Sequence, residues 1–303
     1  MIVETRGLTK FYGDQRALDS VDLRVPRGGV YGLVGPNGSG KTTLLALLSG
    51  LRRATSGEIR LDVARAKVAV LPDTPQFEPW LTAYEVVDLA RNLTAPPRPP
   101  RPQSWGDQIP SSRVAEVLEE AGLADAMGRR VGGFSRGMLQ RLGLAATVIG
   151  EPELLLLDEP CSALDPGGRR EVLDLVKRLG SGGTVLFSSH ILSDVQQVSD
   201  TVGVLREGRL LYQGSLEELL VGHAVPAYRV RLRGPANGVA AILRAEPWVT
   251  AIEEEAPDLR IRVSSMADAE RELVGALAKA GAQVVSMGPE AADLEDVFLE
   301  LTR

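Results

Sequence analysis

Apolar positions in the first two thirds of the chain fall into short runs separated by glycine turns and by stretches of helical spacing. Val21, Leu23 and Val25 alternate with polar residues, the period-two pattern of a strand with one buried face. Residues 30–34, 68–71, 154–157 and 184–188 lack that alternation, and such short apolar runs predict strands buried on both faces. Strands of this kind interleaved with helices, the first an apolar helix at 44–48, predict an α/β domain on a mostly parallel sheet over residues 1–220. Between about 80 and 145 the strand pattern gives way to helical spacing, as at Val114, Val117, Leu118 and Ala121, which predicts a helical subdomain. Residues 94–102 interrupt it with five prolines in nine positions, a composition that forbids a helix interior and favours an extended connector.

A second pattern begins near residue 225. Tyr228, Val230 and Leu232 alternate with arginines, and Leu259, Ile261 and Val263 do the same around Arg260 and Arg262, so both are one-sided strands. A helix at 238–245 and a strand at 248–254 lie between them, with a turn at Ala256-Pro257-Asp258. Ser265 to Asp268 has the spacing of a capping box before a helix with Ala269, Leu273, Ala276, Leu277 and Ala280 on one face. A strand at 283–287 completes the order βαββαβ, which predicts a small α+β, ferredoxin-like accessory domain over 225–303. A terminal helix closes it, with Leu294, Val297, Phe298 and Leu301 on its apolar side and Phe298 expected to pack on the sheet.

Composition narrows the function classes. With 303 residues, 44% hydrophobic and 24% charged, the chain is neither disordered nor a disulfide scaffold. No run approaches the ~18 apolar residues of a membrane-spanning helix, and the first residues carry no secretion signal, so a cytoplasmic location is expected. A formal charge of −6 gives no footprint for tracking a nucleic-acid backbone. Cys161 is the sole cysteine, and with two histidines it makes no zinc cluster; beside Pro160 it reads as an inert small residue. Lysine occurs only at positions 10, 41, 67, 177 and 279, and one of these lies in a glycine-rich loop.

That loop, Gly35-Pro36-Asn37-Gly38-Ser39-Gly40-Lys41-Thr42 with Thr43 following, fits G-x-x-x-x-G-K-[ST] and stands between a predicted buried strand and a predicted helix. Its glycines let backbone N–H groups turn inward on phosphate, Lys41 adds a charge at the β/γ oxygens, and Thr42 offers a hydroxyl to Mg²⁺. Asp158 and Glu159 end the run at 154–157, where parallel sheets bind ligands. Asp158 is placed to hold the metal, and Glu159 to polarise a water attacking the γ-phosphate. His190 follows another buried run and can reach the same phosphate, although a single histidine is more often a packing residue.

These residues, with others in the same order, resemble the nucleotide-binding subunit of an ATP-binding cassette (ABC) transporter, a P-loop NTPase fold, over residues 1 to about 215. Phe134-Ser135-Arg136-Gly137-Met138 stands where that family has its signature, Ser162-Ala163-Leu164-Asp165 resembles the D-loop, His190 the switch histidine, and Tyr12 the aromatic residue that stacks on adenine. Ser135 is a candidate N-cap whose helix would present N–H groups to an anion. The resemblance makes that anion the γ-phosphate held by a second copy, so that two ATP molecules lie in a head-to-tail homodimer contacted by Ser135, Gly137 and Asp165. It also implies ATP hydrolysis with Mg²⁺ on the cytoplasmic face of the membrane, beside a separate permease whose cytoplasmic helix enters a groove near residues 71–85. Trp80 and Leu81 are candidate contacts there, with buried packing the expected role of each.

The departures point to a subclass. Arg136 and Met138 replace a glycine and a glutamine of the common signature, and the S-R-G-M form resembles cassettes that drive ABC-2-type exporters, as does the ending Leu294-Glu295-Asp296-Val297-Phe298-Leu299-Glu300-Leu301. Where the family has the glutamine of its Q-loop, this chain has Asp73, with Gln76 three residues on. Either side chain could face the metal, and Asp73 could equally be a plain loop acid. The alternative reading is a cassette ATPase acting on ribosomes or DNA, but neither a second cassette nor a long coiled-coil insertion is present.

Overall fold

A computed structural model describes residues 1–94, 109–162, 164–222, 226–234, 237–290 and 294–301. The proline-rich connector from residue 95 onward and Ala163 lie outside them. The chain divides into two compact units, Met1–Leu216 and Glu217–Leu301.

The first unit opens with three antiparallel strands, Val3–Tyr12 (β1), Gln15–Val21 (β2) and Arg24–Val25 (β3). Val21, Leu23 and Val25 are all buried, yet they do not form one strand: Val21 ends β2, Val25 lies in β3, and the chain steps across β1 at Leu23, whose carbonyl accepts from Thr5 N–H at 2.9 Å. Then follow Gly29–Val34 (β4), Lys41–Leu48 (α1), Ser56–Leu61 (β5), which pairs with β1, and Val68–Leu71 (β6). Helices Ala83–Thr94 (α2), Ser112–Glu120 (α3) and Arg136–Val148 (α4) pack against one another. The unit closes with Leu154–Asp158 (β7), Pro166–Gly182 (α5), Thr184–Ser189 (β8), Leu192–Val198 (α6), Thr201–Arg206 (β9) and Arg209–Ser215 (β10). The six-stranded sheet has the order β10-β9-β4-β8-β7-β6, parallel except for the β9–β10 pair.

Alternation along β4 assigns its two faces. Tyr31 and Leu33 join the apolar cluster of α1 and the antiparallel sheet, with Leu8, Leu18, Leu44, Leu45 and Leu48. On the opposite face a Cβ at Gly32 would lie 2.3 Å from Val195 Cγ1, so α6 approaches closer than any side chain at 32 permits. Burial on both faces explains why β4, β7 and β8 read as continuous apolar runs, whereas β6, at the edge of the sheet, is only half-buried at Val68, Ala69 and Val70 and falls short of the two-faced burial its run predicts.

Helix Leu216–Gly222 (α7) spans the division between the units. The second unit then runs Ala227–Leu232 (β11), Asn237–Leu243 (α8), Val249–Glu255 (β12), Asp258–Val263 (β13), Met266–Lys279 (α9), Val284–Glu290 (β14) and Leu294–Leu301 (α10). Its strands form one antiparallel sheet in the order β12-β13-β11-β14. Tyr228, Val230, Leu259 and Ile261 meet Val239, Leu243, Leu273 and Leu277 of α8 and α9 in one core. Ser265 caps α9 by accepting from Asp268 N–H at 3.4 Å, but the Asp268 carboxylate pairs with Arg271 instead of reaching back, so the cap is single rather than a reciprocal box. In α10, Leu294 and Val297 are fully buried and Phe298 half-buried. Asp296 accepts from Arg260 Nη1 at 3.0 Å, a charged contact that the apolar periodicity of the helix conceals.

Candidate functional site

Parallel pairing aligns the carboxyl ends of three strands. Val34 lies opposite Ser189, and Asp158 opposite Ser188. The residues that follow β4, β7 and β8 are Gly35, Glu159 and His190, so the phosphate loop, an acid and an imidazole emerge side by side from one edge of the sheet. A cleft of about 490 Å³ opens there, lined by Tyr12, Gln15, Arg16, Ala17, residues 37–43, Asp73, Arg136, Glu159, Ser162 and His190.

The loop is shaped for an anion. Gly40 precedes α1 with φ 107°, and a Cβ there would meet Ala17 O at 2.6 Å, so this close left-handed turn requires glycine. No side chain caps the helix, which leaves its first N–H groups directed at the cleft. Lys41 is buried, and its Nζ donates to Gly35 O at 2.7 Å and Pro36 O at 3.3 Å. Asn37, Gly38, Ser39, Thr42 and Thr43 line the cleft beside it.

Glu159 holds the facing wall. Its backbone is left-handed, with φ 48°, and its N–H donates to Ser188 Oγ at 3.0 Å. Oε2 lies 2.8 Å from His190 Nδ1, and Oε1 lies 3.4 Å from Lys41 Nζ, buried and without a hydrogen bond. Ser188 donates its hydroxyl to Asp158 Oδ1 at 2.6 Å, so this one serine orients both acids. Asp158 is buried and, unlike Thr42 and Asp73, does not line the cleft. Asp73 lines the cleft and accepts from Ser162 Oγ at 3.0 Å, whereas Gln76 is exposed and does not line it. Tyr12 is exposed at the other end, with Lys10 Nζ 4.9 Å from its ring centre. Burial pushes the Cys161 thiol up to about 12, which keeps it protonated and inert.

The signature segment divides. Ser135 caps α4, its Oγ accepting from Met138 N–H at 3.2 Å, yet neither it nor Gly137 lines the cleft; Arg136 does. Asp165 caps α5 by accepting from Gly168 N–H at 3.1 Å. Trp80 is 63% exposed, which corrects the expectation of buried packing; Leu81 is half-buried. Sequence motifs passed over Ser188 and residues 15–17, and included Ser162 only as the start of the D-loop segment and not as a residue of the cleft. Ser188 had a readable signal, since it is a polar residue ending an otherwise apolar run two positions before His190.

A glycine-rich loop around a buried lysine, with an acid and a histidine at neighbouring strand ends, defines a P-loop nucleoside triphosphatase. Residues 18–162 match the family model described as ABC transporter. The chain is 34% identical over 304 residues to the ABC transporter ATP-binding protein YxlF of Bacillus subtilis (strain 168), covering 99% of each. It is 36% identical over 306 residues to the daunorubicin resistance ATP-binding protein DrrA3 of Streptomyces coeruleorubidus, covering 98% of this chain and 94% of that protein. Among solved structures, a dimeric ATP-binding cassette in a post-hydrolysis state bound to ADP and Pi superimposes with a TM-score of 0.62 at 25% identity, covering 71% of this chain and 98% of that one. The chain belongs to the ATP-binding proteins of ABC transporters, and its activity class is ATP hydrolysis. These whole-length relatives favour transport over action on ribosomes or DNA. Among the described residues no helix is long and apolar enough to cross a membrane.

Proposed function

We propose that this chain is the ATPase subunit of an ABC-2-type exporter, working as a head-to-tail homodimer on a separate permease at the cytoplasmic face of the membrane. The observation that carries the reading is the convergence of Lys41, Glu159 and His190 at one sheet edge, with Glu159 bonded to His190 and beside Lys41. The uncapped start of α1 and residues 37–43 hold the phosphates, Lys41 neutralises the β/γ oxygens, and Tyr12 stacks on adenine. Glu159 takes a proton from water as it attacks the γ-phosphate, with His190 orienting the carboxylate. The available donors are all oxygens, Thr42, Asp158 and Asp73, which suits Mg²⁺. When bound, Mg²⁺ stabilises negative charge developing on the phosphate oxygens.

Ser135, at the capped start of α4, and Asp165, at the start of α5, face the nucleotide of the second copy. A clamped triphosphate favours the closed pair; its cleavage removes that preference and the copies separate. The βαββαβ order and the strand order β12-β13-β11-β14 support a ferredoxin-like accessory domain. The full-length match to a daunorubicin resistance protein supports export and a chain that carries this second unit by design. Exposed Trp80 and Tyr84 support a permease surface near residues 71–85.

Purification from solubilised membranes tests the reading. A membrane protein should accompany the chain and raise its ATP turnover, and recovery with ribosomes or DNA alone would overturn it.

A further inference from the structure

Asp194 is a buried carboxylate with no part in the chemistry above. It lies in the first turn of α6, four residues beyond His190, and is 3% exposed. Its Oδ1 accepts from Arg169 Nε at 2.5 Å, and its Oδ2 is buried without a hydrogen bond. Burial pushes its carboxyl above the usual range, while Arg169 and the nearby His190 act in the opposite direction. A buried ion pair is weak evidence for stability, because a well-packed apolar pair is often as good, so its placement calls for another reason.

The placement links two loops of the site. Arg169 lies in the first turn of α5, and its N–H donates to the Asp165 carbonyl at 2.9 Å. Asp194 N–H donates to Ile191 O at 3.2 Å, and Ile191 N–H donates to Ser189 Oγ at 2.9 Å. The turn carrying His190 is therefore fastened at the end of β8 and again through Asp194 to α5. The imidazole itself is 41% exposed, so packing does little to hold it, and its bond to Glu159 depends on where that turn sits. We propose that Arg169 and Asp194 are positioning residues for His190, their ion pair clamping the start of α6 to the start of α5 so that the imidazole is held against Glu159. This rests on the reading that His190 serves ATP turnover.

A double-mutant cycle tests it on the full chain. Asp194→Asn should lower kcat about 10- to 100-fold, as misplacement of a reacting group does, with KM for ATP within about twofold. Asp194→Glu, which keeps the charge, should recover most of the loss. In a His190→Ala background Asp194→Asn should cost nothing further, since the group it positions is gone. Should Asp194→Asn fail to fold, Arg169→Gln enters the same cycle with the same expectation. An equal loss in both backgrounds, an unchanged kcat, or a loss confined to KM overturns the proposal. If His190→Ala alone turns over ATP like the wild type, the role of His190 is what fails, and the two failures are told apart.

Discussion

Lys41 and Glu159 face each other across the cleft, Nζ 3.4 Å from Oε1, with side chains 6% and 13% exposed. Each charge is the other's partner inside a wall that excludes most water, and a phosphate entering the loop competes with Glu159 for the lysine. Lys41→Ala removes the cation that pairs with Glu159 and that is proposed to hold the nucleotide. We expect ATP turnover to fall at least about 100-fold, the cost of deleting one charge that stabilises the transition state. A turnover assay with a fluorescent-nucleotide titration checks this, and wild-type values in both would remove Lys41 from the site.

Glu159→Gln keeps the shape of the side chain and removes the carboxylate proposed as the base. Hydrolysis should fall about 100- to 10,000-fold, the span attributed to a general base, with ATP still bound. The unhydrolysed nucleotide should then hold two copies together, visible as a dimer by light scattering with Mg-ATP. A variant that remains monomeric under saturation contradicts the head-to-tail reading.

Asp73 lines the cleft and Gln76 does not, which separates two residues that sequence spacing leaves level. Asp73→Asn should raise the Mg²⁺ concentration needed for half-maximal turnover by severalfold, and Gln76→Ala should leave it unchanged. The opposite result in a Mg²⁺ titration would hand the metal-facing position to Gln76.

Helix α2 begins with a reciprocal cap. Glu85 N–H donates to Thr82 Oγ1 at 3.2 Å, and Thr82 N–H donates to Glu85 Oε2 at 2.7 Å. Thr82→Ala should cost about 1 kcal/mol, the usual value of a lost cap, measured by denaturant unfolding. No loss would mean that packing of Val86 and Val87 alone fixes the start of the helix.

Arg260 and its own burial act in opposite senses on Asp296, and Arg260 prevails, holding the carboxyl below the usual aspartate range. A depressed folded value means that the stabilisation is complete above the unfolded value of about 3.9 and is lost as pH falls through the folded one. Thermal unfolding of the wild type should therefore weaken with acid over that window, and Asp296→Asn should flatten part of the slope. Identical pH profiles would show that Asp296 titrates alike in the folded and unfolded states and that Arg260 contributes nothing through it.

Much of this was legible because the central sheet is parallel and covered on both faces. Strands such as 154–157 must then be apolar at every position, and the abrupt arrival of Asp158 and Glu159 marks the strand end. Half-exposed strands gave a fainter signal: Val21 and Val25 share one apparent period yet belong to β2 and β3, because periodicity carries no information about where the chain changes partner. The capping residue Thr82 and the orienting residue Ser188 act through single bonds to backbone or carboxylate, which leave no periodic trace. The ion pairs of Asp194 and Asp296 escape notice for a related reason, being contacts between distant segments rather than properties of either one.

The left-handed backbone at Glu159 sets comfort against chemistry in a single residue. A non-glycine side chain held at positive φ costs on the order of 1–3 kcal/mol, and the carboxylate is the reason to tolerate it. Glu159→Gly should relieve that strain but strand buried Lys41 without its acid and abolish turnover, so the turn is held in an unfavourable conformation for the carboxylate it presents and not for the fold.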